Sequence, residues 1–202
     1  HVDSNSRLCM ASAVAAYRSM LGSDAPPTCY DDINYSDCFL IAGSNMMDTH
    51  PVLYQQVKAR RSQHPESVVI VVDPRRSHTA KAADIHIQLK PGSDIAFFNL
   101  VAHIVLERCA EDTEFIRNHT HGFTEYVSMI RSLDVEMLIE ECGVPFETIQ
   151  RAADVMIGSQ AMLSFYCMGL GQSSVGTAKH QALIDLHLLL GQIGKPGAGP
   201  FS

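Results

Sequence analysis

The stretch SVVIVVDPRRSHT, residues 67–79, decides the fold class. Five consecutive β-branched aliphatic residues leave no polar side, so a strand here must be buried on both faces. Strands of that kind belong to parallel sheets covered by helices above and below. The run stops abruptly at Asp73, Pro74 and a pair of arginines, which marks a loop.

The same pattern recurs on either side. DCFLIAG at 37–43, IHIQLKP at 85–91 and AMLSFYCMG at 161–169 predict three more strands. Apolar residues at helical spacing predict helices over 9–20, 50–63 and 177–190, and PPTCYDD at 26–32 is a turn. Ser93 or Asp94 can cap a further helix running to about Cys109. Residues 111–158 divide into four short helices, the last two separated at Gly143 and Pro145. Strands alternating with helices predict an α/β fold: a three-layer α/β/α arrangement around a mainly parallel open sheet of the dinucleotide-binding (Rossmann-like) type. The helical block at about 111–158 is an insertion between the third and fourth strands.

Composition narrows the function. The 202 residues suit one domain, 1–202, and 46% hydrophobic content is enough for a sizeable core. A formal charge of −7 argues against a general nucleic-acid binder. No apolar run reaches the ~18 residues of a membrane span. The six cysteines include no CxxC pair, so neither a zinc knuckle nor an iron–sulfur cluster is expected within these residues. They read as reduced thiols of a cytoplasmic protein, with Cys38 and Cys167 inside apolar strands. The chain opens HVDSNSR, without Met or apolar leader, and closes GQIGKPGAGPFS in a Gly/Pro turn with no terminal element. Both ends fit a piece of a longer polypeptide.

Ligands of open α/β sheets gather at the carboxyl ends of the strands. Here those ends read AGSNMMDTHP, DPRRSHT, KPGSD and MGLGQSSVG. They offer backbone amides at Gly43, Ser44, Gly92, Ser93, Gly169 and Gly171, and the side chains of Asn45, Asp73, Arg75, Arg76, Ser77, Asp94 and Gln172. Arginines can meet phosphate, and Asp73 or Asp94 a ribose or purine amino edge. One such loop is an ordinary turn; four on one edge point to a nucleotide-like ligand. Neither G-x-G-x-x-G nor a P-loop is present, which excludes the usual dinucleotide and ATPase sites.

Five ordered stretches, RLCMASAV, GSNMMDTHP, VVDPRRSHTAKAADIHIQLKPGSD, CMGLGQSSVG and GQIGKPGAGPFS, carry a resemblance. From about residue 4 to the last, the sequence resembles the molybdenum/tungsten bis(molybdopterin guanine dinucleotide) oxidoreductases of the dimethyl sulfoxide reductase superfamily. Within it, the chain is most similar to assimilatory nitrate reductases. The resemblance implies that Cys9 ligates molybdenum, and a soft thiolate suits that metal. A loop-to-helix junction at Cys9 would add the helix dipole to the stabilisation of the thiolate. Met10 stands where formate dehydrogenases of the superfamily place His; Met cannot act as a base, so nitrate is preferred to formate. The resemblance further implies that Asn5 contacts the pterin. It assigns Gly43, Ser44, Asn45, Met46 and Asp48 to a first guanine-dinucleotide loop, Asp73 through Ser77 to a second, and Gly92, Ser93 and Asp94 to a third. Met168 and Gln172 would approach the metal centre.

The implied chemistry belongs to a parent enzyme. Nitrate gives up an oxygen atom at molybdenum and leaves as nitrite, and electrons return through a four-iron four-sulfur cluster held outside these residues. The implied partners are the small anion, the other domains of the same large subunit and an electron donor. Of the histidines, His50 fits helix capping or packing, His78 a contact to cofactor phosphate, and the pairs His119/His121 and His180/His187 surface or helix packing. Three alternatives stay open: a formate dehydrogenase or other oxyanion reductase of the superfamily, a non-catalytic nucleotide-binding module, and a scaffold or subunit-interface domain, which would show a large exposed apolar patch away from the loop edge.

Overall fold

The computed structural model describes residues 2–202. Helix α1 (Asn5–Leu21) leads into strand β1 (Cys38–Ala42), a single turn α2 (Met46–Thr49) and helix α3 (Pro51–Gln63). Strand β2 (Val68–Val72), the turn α4 (His78–Lys81) and strand β3 (Ile85–Ile87) follow. Then come α5 (Asp94–Glu107) and the inserted helices α6 (Thr113–His119), α7 (Phe123–Ser132), α8 (Val135–Cys142) and α9 (Phe146–Gly158). The chain closes with β4 (Met162–Tyr166), the turn α10 (Met168–Gly171), helix α11 (Gly176–Leu189) and β5 (Gly199–Phe201).

The five strands form one sheet in the order β3-β2-β1-β4-β5, and every pairing is parallel. The strands are buried on both faces because alternate side chains enter two different cores. Leu40, Ala42, Ile70, Val72 and Met162 pack with α1, α5, α9 and α11. Phe39, Ile41, Val69, Val71 and Leu163 pack with Tyr54 and Val57 of α3 and with Met46 and Ala80. This is the three-layer arrangement expected from the unbroken apolar runs. No helix among the described residues is long and apolar enough to cross a membrane.

Three boundaries differ from expectation. The chain ends in a strand: β5 pairs with β4, Leu163 opposite Gly199 and Phe165 opposite Phe201. Pro200 is tolerated because β5 lies at the sheet edge. Helix α1 begins at Asn5, so Cys9 is its fifth residue rather than a junction residue. The macrodipole acts mainly within the first turn and adds little there. Strand β4 ends at Tyr166, which leaves Cys167 half-buried beyond the sheet instead of in its core, whereas Cys38 is fully buried.

His180 and His187 are not surface residues; both lie on the buried side of α11. His187 sits between Ser164 Oγ (2.6 Å from Nε2) and the Gln192 carbonyl (2.9 Å from Nδ1). Burial pushes its pKa down from 6.5 to about 4. The unfolded chain therefore binds a proton between those values that the folded chain refuses, and this site costs stability as pH falls through that window. Asp185, beside a cavity of about 940 Å³ at the far ends of α1 and α11, is pushed the other way by burial, from 3.8 to about 6. It restores stability as pH falls from 6 to 3.8. The two sites offset one another, so Asp185→Asn is expected to expose the histidine: urea midpoints of the variant should fall more steeply from pH 6.5 to 4 than those of the parent. The histidine's full share is roughly 3 kcal/mol at ~1.4 kcal/mol per pKa unit. Parallel pH profiles for the two proteins would contradict the assignment.

Candidate functional site

The sheet register sets the site. Ala42 lies opposite both Val72 and Tyr166, so three strands end level and release the chain at Gly43, Asp73 and Cys167. Strands β1 and β4 are neighbours, and their connections run to opposite sides of the sheet. This is the switch point at which α/β sheets hold ligands. A cleft of about 430 Å³ opens there, lined by all four strand-end loops.

The first and fourth loops touch backbone to backbone. Gly43 has φ +57° and accepts a hydrogen bond from Gly169 N at 3.0 Å. A Cβ on Gly43 would stand 2.7 Å from Leu170 N, so no other residue fits without displacement. Ser44 and Asn45 then line the cleft. Asn45 is held at both ends of its amide. Its Nδ2 donates to Asp48 at 2.6 Å, and its Oδ1 accepts from the Thr79 hydroxyl at 3.0 Å. The fully buried Thr79 also accepts from Met47 N (2.9 Å), and His78 Nδ1 lies 3.0 Å from Asp48. These bonds brace the first loop against the second and hold the exposed Asp48 carboxyl below its usual range, His78 being the main cause and Asn45 the next.

Asp73 is buried at the start of the second loop. Its Oδ1 accepts from Arg75 N at 2.7 Å, and no donor is bonded to Oδ2 among the described residues. Arg75 lines the cleft. Ser77 is committed to capping α4, its hydroxyl accepting from Ala80 N. In the third loop Pro91 and Gly92 line the cleft; Gly92 has φ +97°, and a Cβ there would meet nothing within 4 Å. Asp94, at the start of α5, is paired with Lys179 of α11 at 2.6 Å, both side chains less than a tenth exposed.

Cys9 joins this edge from the other end of the chain. Its Sγ lies 3.3 Å from Met168 Sδ in the fourth loop, and one helical turn on, Ser12 Oγ donates to Gly171 O at 2.9 Å. Cys167, Met168 and Gly169 line the cleft beside it. Leu8 and Met10, flanking Cys9, are exposed.

Several residues assigned to the site by resemblance stand elsewhere. The Met46 side chain is buried in the core under β1, since α2 turns it inward. Ser93 is buried and donates its hydroxyl to Lys90 O. Asp48, Arg76, Ser77, Gln172, Asn5, Cys9 and Met10 do not line the cleft; Arg76, Gln172, Asn5 and Met10 are exposed, and Cys9 meets the cleft's edge through Met168. His50 stands between α2 and α3 and its backbone N–H bonds Met46 O, but its side chain makes no capping bond and pairs with the Thr49 hydroxyl instead. His119 and His121 are exposed. Lys179, Thr79 and Cys167 were not anticipated as site residues.

The chemistry of the cleft fits an anionic nucleotide-like group. It combines two cations, Arg75 and Lys179, with two buried carboxylates, Asp94 paired to Lys179 and Asp73 with one oxygen free of protein donors, and a third loop whose Gly92 is open to close approach. No group of three or more His, Cys, Asp or Glu side chains that could hold a metal ion occurs among the described residues, so a metal-bearing group here would bring most of its own ligands.

The family model for molybdopterin oxidoreductases matches residues 1–202. The chain belongs to the molybdopterin oxidoreductase family. It is similar to a nitrate reductase of Synechocystis sp., 44% identical over 99% of this chain and 28% of the relative. It is also similar to a periplasmic nitrate reductase of Desulfovibrio desulfuricans, 36% identical over 100% of this chain and 28% of the relative. An F420-dependent formate dehydrogenase alpha subunit of Methanocaldococcus jannaschii is 33% identical over 98% of this chain and 29% of that subunit. Among solved structures, acetylene hydratase from Pelobacter acetylenicus superposes with a TM-score of 0.80 at 23% identity, covering 96% of this chain and 26% of that one. That likeness bears on the fold alone. This molybdopterin oxidoreductase chain thus spans about a quarter of the length of the relatives it matches, from 22% to 29%.

Proposed function

We propose that these residues form one domain of a cytoplasmic molybdenum nitrate reductase, in which the strand-end cleft holds one molybdopterin guanine dinucleotide and Cys9 is the protein's thiolate to the metal. The observation that carries this is the Cys9–Met168 contact, which ties the thiol from the first helix to the loop at the switch point. The 44% identity to a nitrate reductase supports the substrate class. When bound, the molybdenum–pterin group supplies the two-electron oxygen-atom chemistry that converts nitrate to nitrite.

The chain's own residues bind and orient that group. Gly43, Ser44, Gly92 and Gly169 bring backbone close to it, and Arg75 answers phosphate charge. Asp73 offers Oδ2 to a ribose or purine donor. Asn45, clamped by Asp48 and Thr79, keeps the first loop in one conformation before the cofactor arrives. Met10 and Met168 line the approach to the thiol with apolar, non-basic side chains suited to a small anion that needs no proton abstracted. The second pterin, the four-iron four-sulfur cluster and the electron donor's docking site belong to the remainder of a longer polypeptide and its partner.

Formate oxidation is the second reading, favoured by the formate dehydrogenase relative. The full-length protein separates the two. With reduced viologen it should turn over nitrate, while with oxidised viologen and formate it should be at least ~100-fold slower. Residues 1–202 alone should do neither. Formate turnover without nitrate turnover would replace the substrate assignment.

A further inference from the structure

The pair Lys179–Asp94 is the one ion pair among the described residues with both side chains less than a tenth exposed. Two fully charged groups are seldom buried for stability alone, because desolvation offsets most of their attraction. Their location argues for another use. Both line the cleft, beside Gly43, Asp73 and Arg75. Lys179 is the fourth residue of α11, at the edge of the first turn, where the helix dipole gives a cation no support. Asp94 is the first residue of α5, where a carboxylate is favoured. The carboxylate is thus supported by its own helix and the ammonium is not. Asp94 compensates the lysine and fixes the place of its Nζ.

An ammonium held at the cleft floor by a single carboxylate retains two further N–H donors. We infer that Lys179 is an anion-contacting residue of this cleft, donating to the diphosphate of the bound dinucleotide, with Asp94 as its positioning residue rather than a contact to ribose or base. Arg75 would meet the same charge from the rim. The inference rests on the nucleotide reading of the cleft and adds to it a residue that no turn motif reveals.

GDP serves as the probe, bound to full-length protein produced without cofactor, by equilibrium dialysis. Asp94→Asn keeps the lysine charge and releases it from its partner, so GDP affinity should be retained or rise up to about tenfold, and GDP should raise the variant's Tm more than the parent's. The double variant Asp94→Asn/Lys179→Gln removes both charges with groups of similar shape and leaves no unpaired ion. It should fold, by circular dichroism, and bind GDP at least tenfold more weakly than the parent. Lys179→Arg in the parent background should keep most of the affinity. A purely structural pair predicts that Asp94→Asn and the double variant bind GDP alike, and that result overturns the role of Lys179. If the parent and every variant fail to bind GDP, the nucleotide reading itself fails, and the inference with it.

Discussion

Cys9→Ala in the full-length protein is expected to reduce nitrate turnover at least ~100-fold and to leave Tm almost unchanged. Loss of supporting contacts around a metal ligand already costs 10–100-fold, so loss of the ligand itself should cost no less. The stability effect should be small because Cys9 is only half-buried and contributes one sulfur contact, to Met168. Its scaffold is independent of it. Ser12 bonds Gly171, and Tyr17 bonds both Tyr166 (2.5 Å) and Pro200 O (3.2 Å), fixing α1 to β4, β5 and the fourth loop. The thiol is therefore presented by a helix anchored along its length, which is what a ligand position requires. Cys9→Ser should behave like alanine, since a hydroxyl is a hard, poorly ionised donor where a soft thiolate is needed. Molybdenum content, turnover and a thermal melt on each variant check this. Full turnover in Cys9→Ala would end the assignment, and Cys167, also half-buried beside Met168, would be the next thiol to replace.

The physical signals that were legible in the sequence were those that depend on many residues at once. Val68–Val72 has no polar position to turn outward, and Cys38–Ala42 and Met162–Tyr166 have few, so burial on both faces and a parallel sheet follow from composition. The level ends of those strands then force Gly43, Asp73 and Cys167 together. Signals carried by single residues were less visible. Gly199–Phe201 is three residues long and includes glycine and proline, both poor strand formers, and only its place beside β4 makes it a strand. Lys179 reads as an ordinary solvated helix lysine until its spacing is considered. It falls three residues after Gly176 and four before Leu183, on the stripe that the structure buries. A lysine on an apolar stripe is the signal that could have found it. Met46 failed in the opposite sense: the loop it belongs to is at the site, but a one-turn helix rotates that side chain into the core.

The second large effect is expected at the crossing of the first and fourth loops. Gly43→Ala should destabilise the protein by about 2–4 kcal/mol and weaken retention of the cofactor. Two costs combine. A side chain at φ +57° adds roughly 1 kcal/mol of backbone strain. Forcing a Cβ to within 2.7 Å of Leu170 N and 2.8 Å of Gly169 C adds a typical overpacking cost of 1–3 kcal/mol, because the obstacle is backbone and cannot rotate away. Gly22→Ala is the control. Gly22 caps α1 at φ +77°, with nothing within 4 Å of the added carbon, so it bears the first cost without the second. Urea melts of the two variants therefore isolate the close approach, and equal losses would contradict it. The functional consequence follows from the hydrogen bonds that converge on the glycine. Gly43 N donates to Val72 O at 2.9 Å and Gly43 O accepts from Gly169 N at 3.0 Å, so one residue connects the ends of β1, β2 and β4. A shift of a few tenths of an ångström there is passed to Met168, next to Gly169, and so to the sulfur contact with Cys9. The glycine holds the thiol and the nucleotide loops in one frame, and its replacement should loosen both together.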